Sequence, residues 1–280
     1  MKVKALQKLR QKLKKNEPIY GLWVTLESAS ITEMAVALGL DWVVVDAEHG
    51  HLDWKDINSH ISAALRSDTV VLVRIAERST ILSKRALDIG ADGIIIPWME
   101  KVEEVEEAVQ DCRYPPEGRR GIGGERATVW GQCLNEHANE ANENVLVIPL
   151  IESINAIPNV ANMCKVDGID IFFFGPADFS ASAGFRGQWE GPGVAEQILE
   201  LKDIINAAGK HCGVMSTSVQ NLTERRDQGF RMLALGPDSG LLMRSLHQSL
   251  QEVDCDRLPA TSLDPADGES VSKSDTKIKK

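Results

Sequence analysis

The sequence lacks the patterns of a secreted, membrane-spanning or zinc-stabilised protein. Its five cysteines are odd in number and have no Cys-x-x-Cys spacing, which argues against a disulfide framework and a structural zinc site. No stretch approaches the roughly 18 consecutive apolar residues of a membrane span. The basic N-terminal segment MKVKALQKLRQKLKKNE has no apolar core of a signal peptide and predicts a short amphipathic helix. We therefore expect a protein of the reducing cytoplasm with no membrane partner.

Positive charge and nucleotide-binding motifs are also scarce. The net charge is −10, whereas nucleic-acid-binding surfaces are usually basic, so we expect no nucleic-acid partner. The Gly-Ile-Gly-Gly segment at Gly121–Gly124 lacks the spacing of a P-loop or a dinucleotide-binding turn. The apolar runs also lack a lysine at their ends, since Lys101 and Lys210 lie outside them. A Schiff-base mechanism needs such a buried lysine and is disfavoured.

Short apolar runs alternate with helical patterns along most of the 280 residues. Eight alternations of strand and helix are typical of a (β/α)8 TIM barrel, a fold of about 250 residues. The predicted strands are Ile19–Thr25, Trp42–Ala47, Val70–Ile75, Gly93–Trp98, Val145–Ile151, Ile169–Phe174, His211–Ser216 and Met232–Gly236.

The domain prediction is one barrel over residues 1–253, including the N-terminal helix, followed by a disordered polar tail over residues 254–280. Two long segments, Arg113–Asn144 and Ser180–Pro192, follow strands and should lie on the C-terminal face, where barrel active sites occur. Ser30 and Glu33 have the spacing of a capping box at the start of a helix.

Two of the apolar runs end at carboxylates, Glu152 and Asp178. Consecutive parallel strands place their C-terminal ends side by side, where two carboxylates repel each other. A divalent cation between them would remove this repulsion, and carboxylate oxygens suit hard cations. The alternative is that each acid caps the helix that follows it. We favour the metal site because both strands end in the same way.

Other polar side chains at strand ends fall in the same sector of the barrel. Arg74 ends the third strand and could bind a substrate carboxylate through its planar fork, or pair with a protein carboxylate. His49, after the second strand, could be a base or a metal ligand. A base needs an orienting group, for which Asp46 and Asp88 both remain candidates.

These residues lie in stretches that resemble a known family. The stretches are GLW at Gly21–Trp23, DWVVVDAEH at Asp41–His49, VVLVRIAE, KRALDIGADG, RYPPEGRRGIG, LIES and FFFGPADFSASAG. Over Ile19–Leu250 the chain resembles the HpcH/HpaI family of class II, pyruvate-dependent aldolases. The resemblance implies a homo-oligomeric barrel, commonly a hexamer built as a trimer of dimers, whose C-terminal helix is exchanged with or packed on a neighbouring subunit.

The resemblance also implies an activity and a set of site residues. The activity is reversible cleavage of a 4-hydroxy-2-oxo acid, of the 2-keto-3-deoxy sugar acid or dicarboxylate type, to pyruvate and an aldehyde through an enolate that a divalent cation (Mg²⁺, Mn²⁺ or Co²⁺) stabilises. The implied roles are metal ligation by Glu152 and Asp178, pyruvate and enolate binding by Arg74, acid/base chemistry by His49 with Asp88, support by Asp46, and substrate contacts from Trp23, Gly175, Pro176 and Ala177.

The chain departs from the family pattern at two positions. Leu150 stands two residues before the metal-ligand candidate, where members often carry Gln, and Trp98 is bulkier than expected. Two alternatives therefore stay open: a lyase for CoA thioesters such as malyl-CoA or citramalyl-CoA, and a non-catalytic metabolite-binding barrel. The first needs a route for a long substrate, and the second has no reason to retain the carboxylate cluster.

Overall fold

The computed structural model describes residues 1–255, and in it eight parallel strands form a closed barrel in sequence order. The predicted (β/α)8 barrel is confirmed. Residues 256–280, which include nearly all of the predicted tail, lie outside the described residues. The strands are β1 (Ile19–Val24), β2 (Trp42–Asp46), β3 (Val70–Arg74), β4 (Gly93–Ile96), β5 (Leu146–Ile151), β6 (Ile171–Phe174), β7 (His211–Met215) and β8 (Met232–Pro237).

A helix follows each strand along the chain. Residues 1–241 form one compact unit, and a second unit begins at residue 242. The helices are α1 (Val3–Lys14), α2 (Ser30–Ala37), α3 (Trp54–Ala63), α4 (Thr80–Asp88), α5 (Val102–Cys112), α6 (Leu134–Asn144), α7 (Val160–Met163), α8 (Pro176–Ser182), α9 (Val194–Ala207), α10 (Val219–Asp227) and α11 (Asp238–Glu252).

The amphipathic helix α1, predicted from the N-terminal sequence, closes the N-terminal end of the barrel. Its buried residues Leu6, Leu9 and Leu13 pack with residues at the beginnings of the strands in one apolar cluster. Arg10 anchors the helix, because its Nε donates to Asp170 Oδ2 over 2.8 Å. A cavity in the barrel can therefore open only at the opposite end, where the strands terminate.

Glycines inside the barrel make room for large side chains. A Cβ atom on Gly21 would lie 2.1 Å from the Trp42 ring, and one on Gly213 would lie 2.3 Å from the Phe173 ring. Trp42 and Phe173 are both buried, and their rings meet edge to face at 6.3 Å. Because side chains alternate along each strand, these small and large residues interdigitate and fill the interior.

Several local features differ from the sequence-based expectations. The predicted capping box at Ser30 is wrong, since the cap of α2 is Ala29 in helical conformation without a side-chain bond. A capping box occurs instead at α3, between Asp53 and Asp56. The long segment Arg113–Asn144 is not one loop, because it contains a short 3-10 helix (Arg126–Thr128) and α6. It follows helix α5 and precedes β5, so the expectation that it follows a strand and lies on the C-terminal face is wrong, and its helix α6 contacts α1 at the N-terminal end. Short polar side chains can cap a helix at many positions in a sequence, and tertiary packing decides which of them do so.

The described part of the chain contains no helix that is both long and apolar enough to cross a lipid bilayer.

We predict that Gly21→Ala lowers the free energy of unfolding by about 3 kcal/mol, because the added methyl group overlaps the Trp42 ring and main chain and overpacks the interior. Gly121→Ala is the matched control, since its methyl group would meet only Lys84 Cδ at 3.6 Å. Urea unfolding of both variants measures the difference. Equal stability of the two would contradict the packing described above.

Candidate active site

A cavity of about 160 Å³ lies at the C-terminal ends of the strands, the face on which barrel enzymes place their active sites. It is small compared with the roughly 300–1,000 Å³ of pockets for drug-sized ligands. Residues from β1, β2, β3, β5, β6 and β7 and the segments after them surround it. They are Trp23, His49, Arg74, Leu150, Glu152, Phe173, Phe174, Gly175, Pro176, Ala177, Asp178, Trp189 and Met215.

The central contact of the site joins the last residues of β2 and β3. Asp46 and Arg74 are register partners in the parallel pair, so their side chains leave the sheet side by side. Arg74 Nε donates to Asp46 Oδ1 over 2.9 Å, and Nη2 donates to Oδ2 over 2.5 Å. Both residues are buried, at 7% and 2% exposure. This two-pronged geometry holds the guanidinium in a fixed plane.

Glu48 and Trp23 complete the surroundings of the arginine. Arg74 Nη1 lies 2.7 Å from Glu48 Oε2, and the guanidinium carbon lies 5.0 Å from the centre of the Trp23 ring. The Trp23 indole Nε1–H donates to Asp46 Oδ2 over 3.0 Å. Burial opposes the charge of Arg74, but bonds and attraction from Asp46 and Glu48 outweigh it, so the pKa of Arg74 is raised. The arginine is therefore a permanent cation in the cavity.

The turn after β2 is organised by the same aspartate. Asp46 Oδ1 accepts hydrogen bonds from the backbone N–H groups of Glu48 at 3.0 Å and His49 at 3.3 Å. The turn thereby places Glu48 beside Arg74 and leaves the His49 side chain exposed at the rim of the cavity. Burial raises the pKa of Glu48 even though Arg74 acts in the opposite direction.

Glu152 follows β5 directly and is 2% exposed. The backbone N–H of Trp98 donates to its Oε1 over 2.8 Å, and Trp98 holds a left-handed backbone conformation with φ 54°. On the other side, a Cβ atom on Gly175 would lie 2.6 Å from Oε2, so only glycine fits there. Burial raises the pKa of Glu152 to about 8, and the Glu48 and Asp178 carboxylates add to the rise although the Trp98 N–H opposes it.

Asp178 reaches the cavity from the first turn of α8, which begins at Pro176 directly after β6. Ile151 of β5 and Phe174 of β6 are register partners, so the segments carrying Glu152 and Asp178 leave the sheet at the same level. Across residues 1–255, no group of three or more His, Cys, Asp or Glu side chains forms a complete metal site. The protein thus offers two adjacent carboxylates, which matches the way Mg²⁺ is held, with water or substrate oxygens as the other ligands.

Asp88 occupies a different place from the other predicted site residues. It ends α4 and accepts a 2.8 Å bond from Arg120 Nη2. It lines a second cavity of about 520 Å³ with Lys84, Arg126 and other residues of α3, α4 and the segment after α5. Within one chain, the fold therefore places His49 and Asp88 in separate cavities, whereas Arg74, Glu152 and Asp178 line the same one.

The sequence analysis assigned no role to Glu48 or Trp189, and both lie at the site. Glu48 stands in the Asp-Ala-Glu-His segment, where its spacing from Asp46 was the available signal. Trp189 has no such signal, because an irregular segment brings it to the cavity. A Glu190–Arg225 ion pair and a 2.9 Å bond from the Gly191 N–H to Ser180 Oγ fix that segment.

The fold and the site define an α/β-barrel enzyme with a cavity that combines a buried arginine with paired carboxylates. The chain belongs to the HpcH/HpaI aldolase/citrate lyase family, whose model matches residues 19–245. The aldolase interpretation of the sequence is confirmed at this level.

Similar proteins cover most of the chain. A hydroxypyruvate/pyruvate aldolase of Roseobacter denitrificans is 32% identical over 86% of this chain and 94% of its own length. A 4-hydroxy-2-oxovalerate aldolase of Rhodococcus jostii is 35% identical over 80% of this chain and 87% of its own. The crystal structure of an HpcH/HpaI aldolase/citrate lyase family protein from Burkholderia cenocepacia matches with a TM-score of 0.84 and 33% identity, over 88% of this chain and 99% of that one.

We predict that Asp46→Asn lowers the free energy of unfolding by about 3 kcal/mol, because it removes one partner of a buried ion pair. Glu48→Gln, the matched variant, should change stability by less than about 1 kcal/mol. Burial already disfavours the charge of Glu48, and Asp46 keeps Arg74 paired. Urea unfolding in the presence of EDTA measures both. If Glu48→Gln destabilises the protein as much as Asp46→Asn, the two carboxylates contribute equally to stabilising the buried Arg74, which would contradict this prediction.

Proposed function

We propose that the protein is a divalent-metal-dependent aldolase that reversibly cleaves a 4-hydroxy-2-oxo acid to pyruvate and an aldehyde. The observation that carries the proposal is that one small cavity contains a buried arginine beside two adjacent carboxylates, Glu152 and Asp178. A 2-oxo acid carries a carboxylate and an adjacent carbonyl oxygen, and this arrangement complements both. The five cysteines are unpaired, which supports a cytoplasmic location.

Glu152 and Asp178 are the residues that would hold the cation. Their fit is supported by the raised pKa of Glu152, which reflects burial near other carboxylates and which a bound cation would offset. Trp98 fixes one oxygen of Glu152, and Gly175 leaves space beside the other. When bound, Mg²⁺, Mn²⁺ or Co²⁺ would supply a Lewis acid for the 2-oxo group.

Arg74 is proposed to bind the carboxylate of the 2-oxo acid and to stabilise the enolate oxygen that forms when the carbon–carbon bond breaks. Asp46 supports this role by holding the guanidinium plane, so that little reorganisation is needed during the reaction. Trp23, Gly175, Pro176 and Ala177 line the same cavity and are proposed to contact the substrate.

His49 is proposed to move the proton of the 4-hydroxyl group, since it lies exposed at the cavity rim. We propose that Asp88 orients His49 from a neighbouring subunit, because within one chain the two residues line different cavities. The surroundings of Asp88 support a subunit contact, as Trp130 and Ile81 of the same cavity are 68% and 69% exposed.

Helix α11 supports a homo-oligomer independently. Leu242, Met243 and Leu246 are each more than half exposed, and Leu246 lies one helical turn from both of the others, a spacing that forms an apolar stripe. Such a stripe suits helix packing between subunits, as proposed here for a hexamer. The small volume of the main cavity supports a compact 2-oxo acid over the CoA-thioester alternative.

We predict that pyruvate release from 4-hydroxy-2-oxo acids, coupled to lactate dehydrogenase, stops with EDTA and returns with Mg²⁺, Mn²⁺ or Co²⁺. Glu152→Gln should weaken metal binding, measured by calorimetry, more than about 100-fold, because even partners outside the ligand shell contribute 10–100-fold. Glu27→Gln, at a residue 65% exposed in its side chain, is the control and should match the wild type. EDTA-resistant release would refute the metal mechanism.

We also predict that inactive His49→Ala and Asp88→Asn variants restore each other when their subunits are mixed. About a quarter of the sites would then combine an intact His49 from one subunit with an intact Asp88 from another. Mixing His49→Ala with Arg74→Ala should restore nothing if each cavity draws both residues from one chain. Absence of restoration in the first mixture, after subunit exchange is verified by mass spectrometry, would exclude the shared site.

A further inference from the structure

The cavity is divided into a polar wall and an apolar floor. The floor consists of Trp23, Leu150, Phe173 and Met215. Leu150 and Phe173 are register partners on β5 and β6, and both belong to the apolar cluster that fills the barrel interior. The apolar packing of the interior therefore continues up to the floor of the cavity.

The polar wall lies directly above this floor. Glu152 follows Leu150 by two residues, so the two side chains point to the same side of the chain at successive levels. Arg74, Asp178 and His49 line the same cavity. Among the four floor side chains, only Trp23 carries a nitrogen or oxygen atom. Its Nε1–H already donates to Asp46 Oδ2 over 3.0 Å. The floor therefore offers a ligand no hydrogen-bonding nitrogen or oxygen from its side chains.

This division determines how a 2-oxo acid fits. Its carboxylate and oxo oxygens must face the polar wall, since burying them against the floor would leave them without partners. The third carbon, which becomes the nucleophile, then packs beside Leu150 and Phe173 with one face open to the aldehyde above. A methyl or methylene group gains contact there, whereas a hydroxyl group on that carbon loses its hydrogen bonds with water and finds no replacement.

We propose that the nucleophile subsite selects 2-oxo acids whose third carbon carries only hydrogen or alkyl groups, as in pyruvate and 2-oxobutyrate, and disfavours 3-hydroxylated donors such as hydroxypyruvate. Leu150 is the specificity-determining residue. The inference rests on the proposed aldolase function and names its donor class. An apolar pocket discriminates against an added hydroxyl group by at most about 100-fold, so the expected preference is roughly 10–100-fold.

The test measures the enolisation half-reaction without an aldehyde. In D₂O with Mg²⁺, the C3–H bond breaks, the proton passes to a base and then to solvent, and a deuteron returns to the same carbon. Proton NMR follows this exchange for pyruvate, 2-oxobutyrate and hydroxypyruvate, after subtraction of the enzyme-free rates. We expect kcat/KM for hydroxypyruvate to be at least about tenfold below that for pyruvate. Calorimetry of pyruvate and hydroxypyruvate binding provides the second readout, with the same expected order.

Two variants assign the preference to the floor. Leu150→Gln places an amide at the floor and should reduce the ratio of kcat/KM for pyruvate to that for hydroxypyruvate at least about tenfold. Leu150→Met keeps the floor apolar and should leave this ratio unchanged. Should Leu150→Gln fail to fold, the wild-type ratio and the binding order still test the inference.

The outcomes separate the inference from the function on which it rests. Exchange of hydroxypyruvate as fast as pyruvate would overturn the donor preference while leaving the aldolase intact. An absence of exchange for every donor with Mg²⁺, Mn²⁺ and Co²⁺ would contradict the proposed function. In that case the relative affinities of pyruvate and hydroxypyruvate, measured by calorimetry, would alone test the donor preference. Equal binding of the two acids would overturn it.

Discussion

The site depends on one buried cation surrounded by carboxylates. Arg74 is held by Asp46 through two bonds and lies beside Glu48, while Glu152 and Asp178 line the same cavity. A buried guanidinium is tolerated only when it is paired, and a buried group of acids is tolerated only near positive charge. One arginine does not offset four carboxylates. This charge imbalance is the physical basis of the proposed divalent-cation site.

The second constraint is the packing of the barrel interior. Glycines at positions 21 and 213 admit the large rings of Trp42 and Phe173, and the helix α1 closes the N-terminal end. The interior is consequently filled up to the level of Leu150, and only the space above that level remains for a ligand. The same apolar layer that stabilises the barrel therefore forms the floor of the cavity and limits which ligand groups can face it.

The third feature is the separation of His49 from Asp88. The fold gives each its own surroundings, with His49 at the rim of the main cavity and Asp88 beside Arg120 in another. A single chain holds the residues proposed to bind a 2-oxo acid in one cavity but keeps the proposed base and its proposed orienting group apart. Catalysis by such a pair would then require assembly, which couples activity to the oligomeric state.

Much of this protein could be predicted from the sequence because the relevant signals are local. Strand and helix periods predict the barrel, and the carboxylates at the ends of two apolar runs predict that Glu152 and Asp178 lie close together, as they do in the cavity. Tertiary structure alone decided that Arg74 pairs with Asp46 and that Leu150 belongs to the cavity floor. It also decided that Asp88 lies apart from His49 and that Trp189 reaches the cavity from an irregular segment. Such relations depend on strand register, barrel closure and loop anchoring, which bring together residues far apart in the chain and leave no periodic pattern in it.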